Sequence, residues 1–141
     1  MVDTITSFLT GKSTMQRLGG EIVVAKNELN FATTNASSAD IIEAIKIPAG
    51  AFLMDCFCYI NTAEGATMTF DIGDGTDPNG CDDAVDGNAT AGTESKMLEA
   101  DPYGKGKYYS AADTIDIVLD DDADMMVVTI IAVYAMLENV T

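Results

Sequence analysis

The sequence of 141 residues has no histidine and no tryptophan. It has few basic residues, with 7 Lys and Arg compared with 23 Asp and Glu. Without histidine there is no imidazole general base, no Ser–His or Cys–His nucleophile pair and no imidazole metal ligand. The net charge of −16 repels phosphate backbones and anionic lipids, so we expect neither nucleic acid nor a membrane as a partner. Because 48% of the residues are hydrophobic, the chain can bury the core of one domain. We therefore predict a binding or structural protein that is not an enzyme and holds no cofactor.

Cysteine is scarce as well, and its three residues are an odd number that forms no disulfide framework. Cys56 and Cys58 are two apart in an apolar run, which indicates buried thiols, and Cys81 is interpreted as an incidental loop thiol. The four ligands of a zinc site are missing. Long apolar runs are also missing: residues 125–137 fall short of the roughly 17 residues that a membrane-spanning helix needs. Reduced cysteines are typical of assembly in a cytoplasm.

Positive charge is concentrated at the start of the chain. Lys12 and Arg17 against Asp3 give residues 1–20 a net charge of +1, and the other 5 basic and 22 acidic residues give residues 21–141 a net charge of −17. The first segment holds isolated apolar residues without a period and closes at two glycines. We predict an extended N-terminal arm, 1–20, that orders against a partner, and a single β domain, 21–141. A frayed terminus without a role is the alternative.

From residue 21 onward the pattern is that of β-strands. Two apolar runs, 21–26 and 29–33, are separated by a predicted turn at Asn27 and Glu28, and alternation predicts strands over 67–72 and 114–119. The strand predicted over 52–60 has one face made of Phe52, Met54, Cys56, Cys58 and Ile60.

Two further stretches are harder to assign from their pattern. Residues 37–47 fit either a helix capped by Ser37 or a strand, and their β-branched isoleucines favour the strand. Residues 76–112 are interpreted as a long irregular insert with short candidate strands near 96–99 and 107–109. Eight or nine strands predict an all-β fold, an antiparallel β-sandwich or jelly roll with an extended N-terminal arm.

The last strand, predicted over residues 125–137, is apolar on both faces. A strand with one solvated face should alternate apolar and polar residues, so something must cover the second face. Another copy of the chain is the simplest cover, and the N-terminal arm is the competing explanation. We predict a homo-oligomer with an interface that includes Val127, Ile131, Val133 and Leu137.

Acidic residues cluster in the glycine-rich stretch 71–86, where oxygen ligands would suit Ca²⁺. The candidate ligands are Asp74, Asp77, Asn79 and Asp82. The spacing is not that of an EF-hand, because the first ligand position falls on Gly75. Since Asp, Asn and Gly are also the residues that turns use, a solvated turn is favoured and no metal site is predicted. A nearby group of aromatic and basic residues is interpreted as an interface patch or a loop anchor: Tyr103, Lys105, Lys107, Tyr108 and Tyr109.

The order of these motifs resembles small virion proteins of tailed bacteriophages, of the capsid decoration or cement type. The run I-K-I-P-A-G-A at 45–51 leads into the strand 52–60, and the strand 67–72 leads into G-D-G-T-D-P-N-G at 73–80. The resemblance implies a β-sandwich that forms homotrimers on the capsid exterior and clamps neighbouring subunits of the major capsid protein, after assembly in the host cytoplasm. The arm would then contact the capsid through Phe8, Leu9, Arg17 and Leu18. The alternative is a head fibre, spike or tail-associated module that binds a receptor or carbohydrate with calcium, against which the absence of tryptophan argues.

Overall fold

Nine β-strands and no helix form residues 21–137, the range that the computed structural model describes. In that range, accordingly, no helix is long and apolar enough to cross a membrane. The strands are β1 Glu21–Asn30, β2 Ile41–Ile47, β3 Ala51–Thr62, β4 Thr69–Gly73, β5 Asp82–Asp86, β6 Glu94–Lys96, β7 Lys107–Tyr109, β8 Asp113–Leu119 and β9 Val127–Met136.

The strand pairing is that of a long antiparallel ribbon rolled into two sheets. β1 pairs with β9, β2 with β8, β3 with both β6 and β7, and β4 with β5. One sheet therefore has the order β1-β9-β3-β6, with β7 beside β6 on the same edge of β3, and the other has the order β2-β8-β4-β5. Two such packed sheets make a jelly roll. The all-β, antiparallel sandwich prediction is confirmed.

The core lies between the two sheets and is formed by alternate residues of each strand. Met68, Phe70 and Ile72 are at most 1% exposed, as are three residues of β8, namely Ile115, Ile117 and Leu119. Each such side chain contributes about 1.5–3 kcal/mol when it leaves water. Side-chain hydrogen bonds link the sheets at both edges: Asn27 Nδ2 donates to the Ala44 carbonyl at 2.9 Å, and Ser95 Oγ donates to Asp82 Oδ2 at 2.6 Å.

The turn predicted at Asn27 and Glu28 is wrong, because β1 continues without a break to Asn30. All ten of its residues pair in register with β9, from Glu21 opposite Met136 to Asn30 opposite Val127. The continuous ladder of hydrogen bonds that β9 offers outweighs the local turn tendency of Asn and Glu. The side chain of Asn27, instead of closing a turn, holds β2.

A β-bulge at Met54 corrects the predicted faces of β3. Leu53 is opposite Tyr134 and Asp55 is opposite Val133, so Met54 is the extra residue. The bulge exchanges the faces of the residues before it, as bulges do. Leu53 therefore points into the core while Phe52 points outward, and the core face continues with Cys56, Cys58 and Ile60.

Three smaller findings complete the fold. The strand interpretation of 37–47 is confirmed for Ile41–Ile47, and Ser37 with Asp40 forms a turn, in which Ser37 N donates to Asp40 Oδ2 at 2.8 Å. β5 lies within the stretch that was predicted to be irregular. Its sequence did not indicate a strand, because only Val85 is buried and apolar and polar residues do not alternate. Cys81 is fully buried like the other two cysteines and is a core residue instead of an incidental loop thiol.

Candidate interaction surfaces

The side of the five-stranded sheet that faces away from the core is apolar in its centre. Residues directly opposite each other in an antiparallel pair lie on the same face, so the register defines rows across the sheet. One row joins Ile22, Ala135, Phe52 and Tyr108, and the next joins Val24, Val133 and Asp55. The following row joins Lys26, Ile131, Phe57 and Lys96. We call these residues the outer face.

The outer face is partly accessible to solvent although it is largely apolar. Val24 is 37% exposed and Tyr108 is 43% exposed, while Phe52, Phe57 and the central β9 residues are half-buried. Lys26 on β1 and Lys96 on β6 flank it at the sheet edges, and Asp55, half-buried on β3, is the charged residue of the adjacent row. A largely apolar surface with few charged residues near its centre is typical of a protein interface.

Three of the four predicted oligomer residues share this side of the sheet. Val127, Ile131 and Val133 alternate along β9 and are half-buried in the single chain. Leu137 follows the strand, is 56% exposed, and donates its backbone N–H to the Gly50 carbonyl at 2.9 Å. The structure thus places Phe52 and Phe57 beside the apolar second face of β9. The sequence had predicted these two phenylalanines on opposite faces of β3.

The acidic loop after β4 is built around Asp74, whose side chain is fully buried. Asp74 Oδ2 accepts hydrogen bonds from Lys107 Nζ at 2.8 Å and from the Tyr109 hydroxyl at 2.9 Å, and Oδ1 accepts one from the Tyr103 hydroxyl at 3.0 Å. Two backbone N–H groups, of Thr76 and Asp77, also donate to Oδ1 at 2.9 Å. Both carboxylate oxygens thus accept hydrogen bonds from the protein itself. Asp74 therefore anchors the loop. We call these four side chains, of Asp74, Tyr103, Lys107 and Tyr109, the Asp74 anchor.

Charge balance within the Asp74 anchor follows from these contacts. Burial alone would raise the pKa of Asp74, but Lys107, the backbone N–H groups and Tyr109 lower it below its ordinary value. Burial together with Asp74 raises the pKa of Tyr109 far above its usual range, so the phenol remains a donor. The Lys107 ammonium lies 4.3 Å from the ring centre of Tyr103 and 4.9 Å from that of Tyr109, which adds cation–π attraction. Three members of the predicted aromatic and basic cluster therefore act as a loop anchor.

Glycine makes the close packing of this loop possible. A Cβ at Gly73 would lie 2.1 Å from the Asp77 carbonyl oxygen, and a Cβ at Gly80 would lie 2.3 Å from the Tyr103 ring. A side chain at Gly80 would push the loop away from Tyr103, and a side chain at Gly73 would collide with the backbone of the turn. The G-D-G-T-D-P-N-G run is therefore turn chemistry that positions Asp74.

The other candidate metal ligands are not gathered around Asp74. Asp82 lies on β5 and accepts the Ser95 hydroxyl, while Asp77 contributes backbone groups to the turn. Burial raises the pKa of Asp82, and the negative charge of Asp101 adds to this effect. No group of three Cys, Asp or Glu side chains is arranged to hold a metal ion within residues 21–137.

Glu64 is a structural residue that its sequence context did not indicate. It is only 6% exposed, and its carboxylate accepts the backbone N–H groups of Asp124, Met125 and Met126 at 2.9, 3.1 and 2.7 Å. Burial alone would raise the pKa of Glu64, but these donors outweigh it and hold the pKa below its ordinary value. Glu64 thus fixes the loop that leads into β9, the strand at the centre of the outer face.

The Glu64→Gln variant is expected to lose about 1.5–3 kcal/mol of unfolding free energy at pH 7, since bonds to a charged acceptor become bonds to an amide. The folded-state pKa lies below the unfolded one, so this stabilisation is complete above the ordinary Glu pKa of about 4.3 and disappears as the pH falls through the folded value. Urea unfolding at several pH values measures it, with Glu94→Gln, an exposed position, as the control. A loss that stays constant down to pH 3 would contradict the role of the charge.

The predicted capsid-contact residues lie outside the described range. Phe8, Leu9, Arg17 and Leu18 all belong to residues 1–20, and the structure describes residues 21–137.

Comparison with known proteins finds similarity in structure alone, since no family model and no curated protein matches the chain. A chain of the capsid asymmetric unit of cyanophage Pam1 superposes with a TM-score of 0.61 at 16% identity, over 84% of this chain and 86% of that one. A chain of the acidic stable capsid structure of Helicobacter pylori bacteriophage KHP30 has a TM-score of 0.61 at 11% identity, over 84% and 94%. The capsid of Ralstonia phage GP4 contains a chain with a TM-score of 0.60 at 16% identity, over 87% and 88%. The protein therefore has a fold that occurs in bacteriophage capsid structures.

Proposed function

We propose that this chain is a structural protein of a bacteriophage virion that binds the capsid exterior and cements neighbouring subunits of the major capsid protein as a homotrimer. The observation that carries the proposal is the jelly roll itself, which matches chains of three phage capsid structures over 84% to 87% of this chain. The role requires no catalysis. The virion exterior is the proposed location, reached after assembly in the host cytoplasm.

The outer face supports the oligomeric part of the proposal. Its half-buried centre, from Val133 to Phe57, offers apolar area that a second copy can remove from water. In a trimer the contacts to the capsid are multiplied, and weak individual contacts combine into strong binding when the geometry allows all of them together. The proposed trimer contact uses Val127, Ile131, Val133 and Leu137.

The charge distribution supports the capsid part of the proposal. Residues 21–141 carry a net charge of −17 and residues 1–20 carry +1. The arm therefore lacks the strong negative charge with which the rest of the chain repels other acidic surfaces. A segment that orders on binding can cover a large surface. Phe8, Leu9, Arg17 and Leu18 are the proposed contacts, with the acidic loops turned to solvent.

Deletion of residues 2–18 is expected to reduce occupancy on capsids at least about tenfold, because the loss of a few apolar contacts exceeds 1.4 kcal/mol per site. Capsids stripped of the protein are incubated with the full or the shortened chain, sedimented, and the bound copies are counted by quantitative mass spectrometry. A full-length control with Phe8, Leu9 and Leu18 changed to Ser separates contact from length. Unchanged occupancy of the shortened chain would remove the arm from the capsid contact, and no binding by the unmodified chain would overturn the proposed function.

A further inference from the structure

Three of the four sheet edges in residues 21–137 are poorly suited to pairing with a further strand. In the five-stranded sheet one edge consists of β6 and β7, which have three residues each. In the four-stranded sheet β2 is irregular at Ala44, whose carbonyl accepts Asn27 Nδ2, and β5 has a register shift and a φ of 54° at Ala84. Short edge strands and bulges are features by which proteins prevent unwanted strand pairing.

The fourth edge is β1, and it has none of these features. The strand is ten residues long and pairs with β9 without a register shift. It contains neither proline nor glycine, and Val23 is the one residue of the strand that is buried. A long and regular edge strand that nothing covers is a template for pairing with another strand.

The backbone groups at the free edge of β1 belong to its even-numbered residues. Phe31 N donates to the Met126 carbonyl at 2.9 Å, in the position that continues the register of β1 with β9. Since hydrogen-bonded and non-hydrogen-bonded pairs alternate in an antiparallel ladder, the odd-numbered residues of β1 bond to β9. The even-numbered residues direct their N–H and C=O groups away from β9, namely Ile22, Val24, Lys26 and Glu28. No hydrogen bond from another group of residues 21–137 reaches these backbone groups.

Lys26 and Glu28 give this edge a charge pattern that is complementary to itself. Both side chains are exposed, and neither forms an ion pair with any residue of 21–137. A lysine on an edge strand discourages pairing unless the partner strand has an acid opposite it. When two copies of β1 pair antiparallel through their even-numbered residues, only the register centred on Asn27 places Lys26 of each copy opposite Glu28 of the other. Registers centred on Lys26 or Glu28 place like charges opposite each other, which is destabilising.

We propose that β1 is a self-pairing surface, on which residues 24–30 of two copies form an antiparallel ladder about a two-fold axis at Asn27. Lys26 of each copy lies opposite Glu28 of the other, and the free N–H and C=O groups of the two edges bond to each other. Such a contact uses the same surface on both copies. The two five-stranded sheets become one, so the outer face of each copy stays accessible. The inference goes beyond the proposed function, because this contact is separate from the proposed trimer interface and requires no capsid.

The contact between two free chains is weak. Residues 24–30 of each copy are fewer than the about 20–30 residues on each side of a standard interface, so we expect a dissociation constant of about 0.1–1 mM. At micromolar concentration the edges of β1 therefore stay unpaired. Copies that are held side by side on a surface have a much higher effective concentration, at which the two edges pair.

Disulfide trapping of the full-length Asn27→Cys variant tests the proposal. In the proposed register the two copies of residue 27 form a non-hydrogen-bonded pair with Cα atoms about 4.5 Å apart, a separation that a disulfide can bridge. At about 0.5 mM protein, oxidised glutathione is expected to produce covalent dimers at least about tenfold faster than in the control Glu94→Cys, an exposed residue of β6 on the opposite edge. The three native cysteines are buried, which protects them from the reagent. Equal rates in the two variants would overturn the proposal.

Charge reversal in the Asn27→Cys background tests the register. Lys26→Glu and Glu28→Lys each place like charges opposite each other and are expected to slow dimer formation at least about tenfold, whereas the double variant restores the rate to within about threefold. Glu28→Lys also makes the chain less negative, so general repulsion alone would speed the reaction. Lys105→Glu changes an exposed residue outside β1 and is expected to leave the rate unchanged. A double variant that is as slow as the single variants would overturn the proposal.

Hydrogen exchange on the unmodified chain provides a test that needs no substitution. The amides of Val24, Lys26 and Glu28 are expected to exchange at least about twofold more slowly at about 1 mM than at about 0.01 mM, because they are hydrogen-bonded only in the pair. The amide of Ala91, an exposed loop residue, is expected to exchange at the same rate at both concentrations. Exchange in β1 that does not depend on concentration, or the same dependence at Ala91, would overturn the proposal. Capsid occupancy is measured separately, so failure of self-pairing and failure of the proposed function give different results.

Discussion

Asp74→Ala is expected to lower the free energy of unfolding by about 3–5 kcal/mol. Removing one partner of a buried ion pair leaves the other uncompensated, which is the costly case for buried charges. Here the Lys107 ammonium, 21% exposed, would lose the carboxylate with which it pairs, and the hydroxyls of Tyr103 and Tyr109 would lose their acceptor. Domains of this size are stabilised by about 5–15 kcal/mol, so the variant approaches the limit of folding.

Chemical denaturation followed by far-ultraviolet circular dichroism measures this loss. Asp83→Ala removes an exposed carboxylate from the same acidic stretch and is expected to change stability by no more than about 0.5 kcal/mol. Lys107→Met tests the other partner, and its loss is expected to be smaller because four donors to Asp74 remain. Equal effects of the Asp74 and Asp83 variants would show that the Asp74 anchor contributes nothing specific.

Ile131→Glu is expected to convert the proposed trimer into a monomer by weakening self-association at least about 100-fold. Ile131 lies in the middle row of the outer face, between Lys26 and Phe57, where a carboxylate in the single chain remains partly in water. Once a second copy covers the face, the charge is desolvated, and its attraction to Lys26 does not repay that cost. The folded monomer is therefore retained while the assembly is lost.

Light scattering coupled to size exclusion distinguishes the 14.9 kDa chain from a particle of three times that mass. The matched control is Ile41→Glu, which makes the same change at a residue that is 64% exposed on the other sheet, and it is expected to leave the mass unchanged. If the unmodified chain is a monomer at micromolar concentration, or if Ile131→Glu leaves its mass unchanged, the outer face is not the self-association surface.

The fold was predictable where one face of a strand is buried in the core and the other is exposed to solvent. Alternation in 67–72 and 114–119 identified the core residues of β4 and β8, because burial on one face leaves a period of two in the sequence. β5 left no such signal, since only Val85 of its five residues is buried. The faces predicted for β3 were wrong before Met54. The bulge at that residue depends on the register with the partner strand, which the local sequence pattern does not encode.

The anchoring carboxylates were not predictable, because their partners are distant in sequence. Asp74 and Lys107 are 33 residues apart, and Glu64 is 62 residues from Met126. From the sequence alone, an acidic residue in a turn is expected to be solvated, because the hydrogen-bond donors that contact it in the fold cannot be identified. The apolar second face of β9 was predictable, because a strand whose run is apolar throughout has two apolar faces in any register; that this face contacts another chain stays a prediction.

The pairing of Glu21 with Met136 determines how the domain responds to force. Both described ends of the chain leave the five-stranded sheet at one corner, since β1 and β9 are antiparallel and in register over ten residues. Tension between the two ends would open that ladder one bond at a time, like a zipper. Tension on the arm along β1, against a body held at its far end, loads all the bonds of the ladder in shear. If the arm holds the domain on a capsid, as proposed, a load along β1 would therefore meet the mechanically stronger axis of the domain.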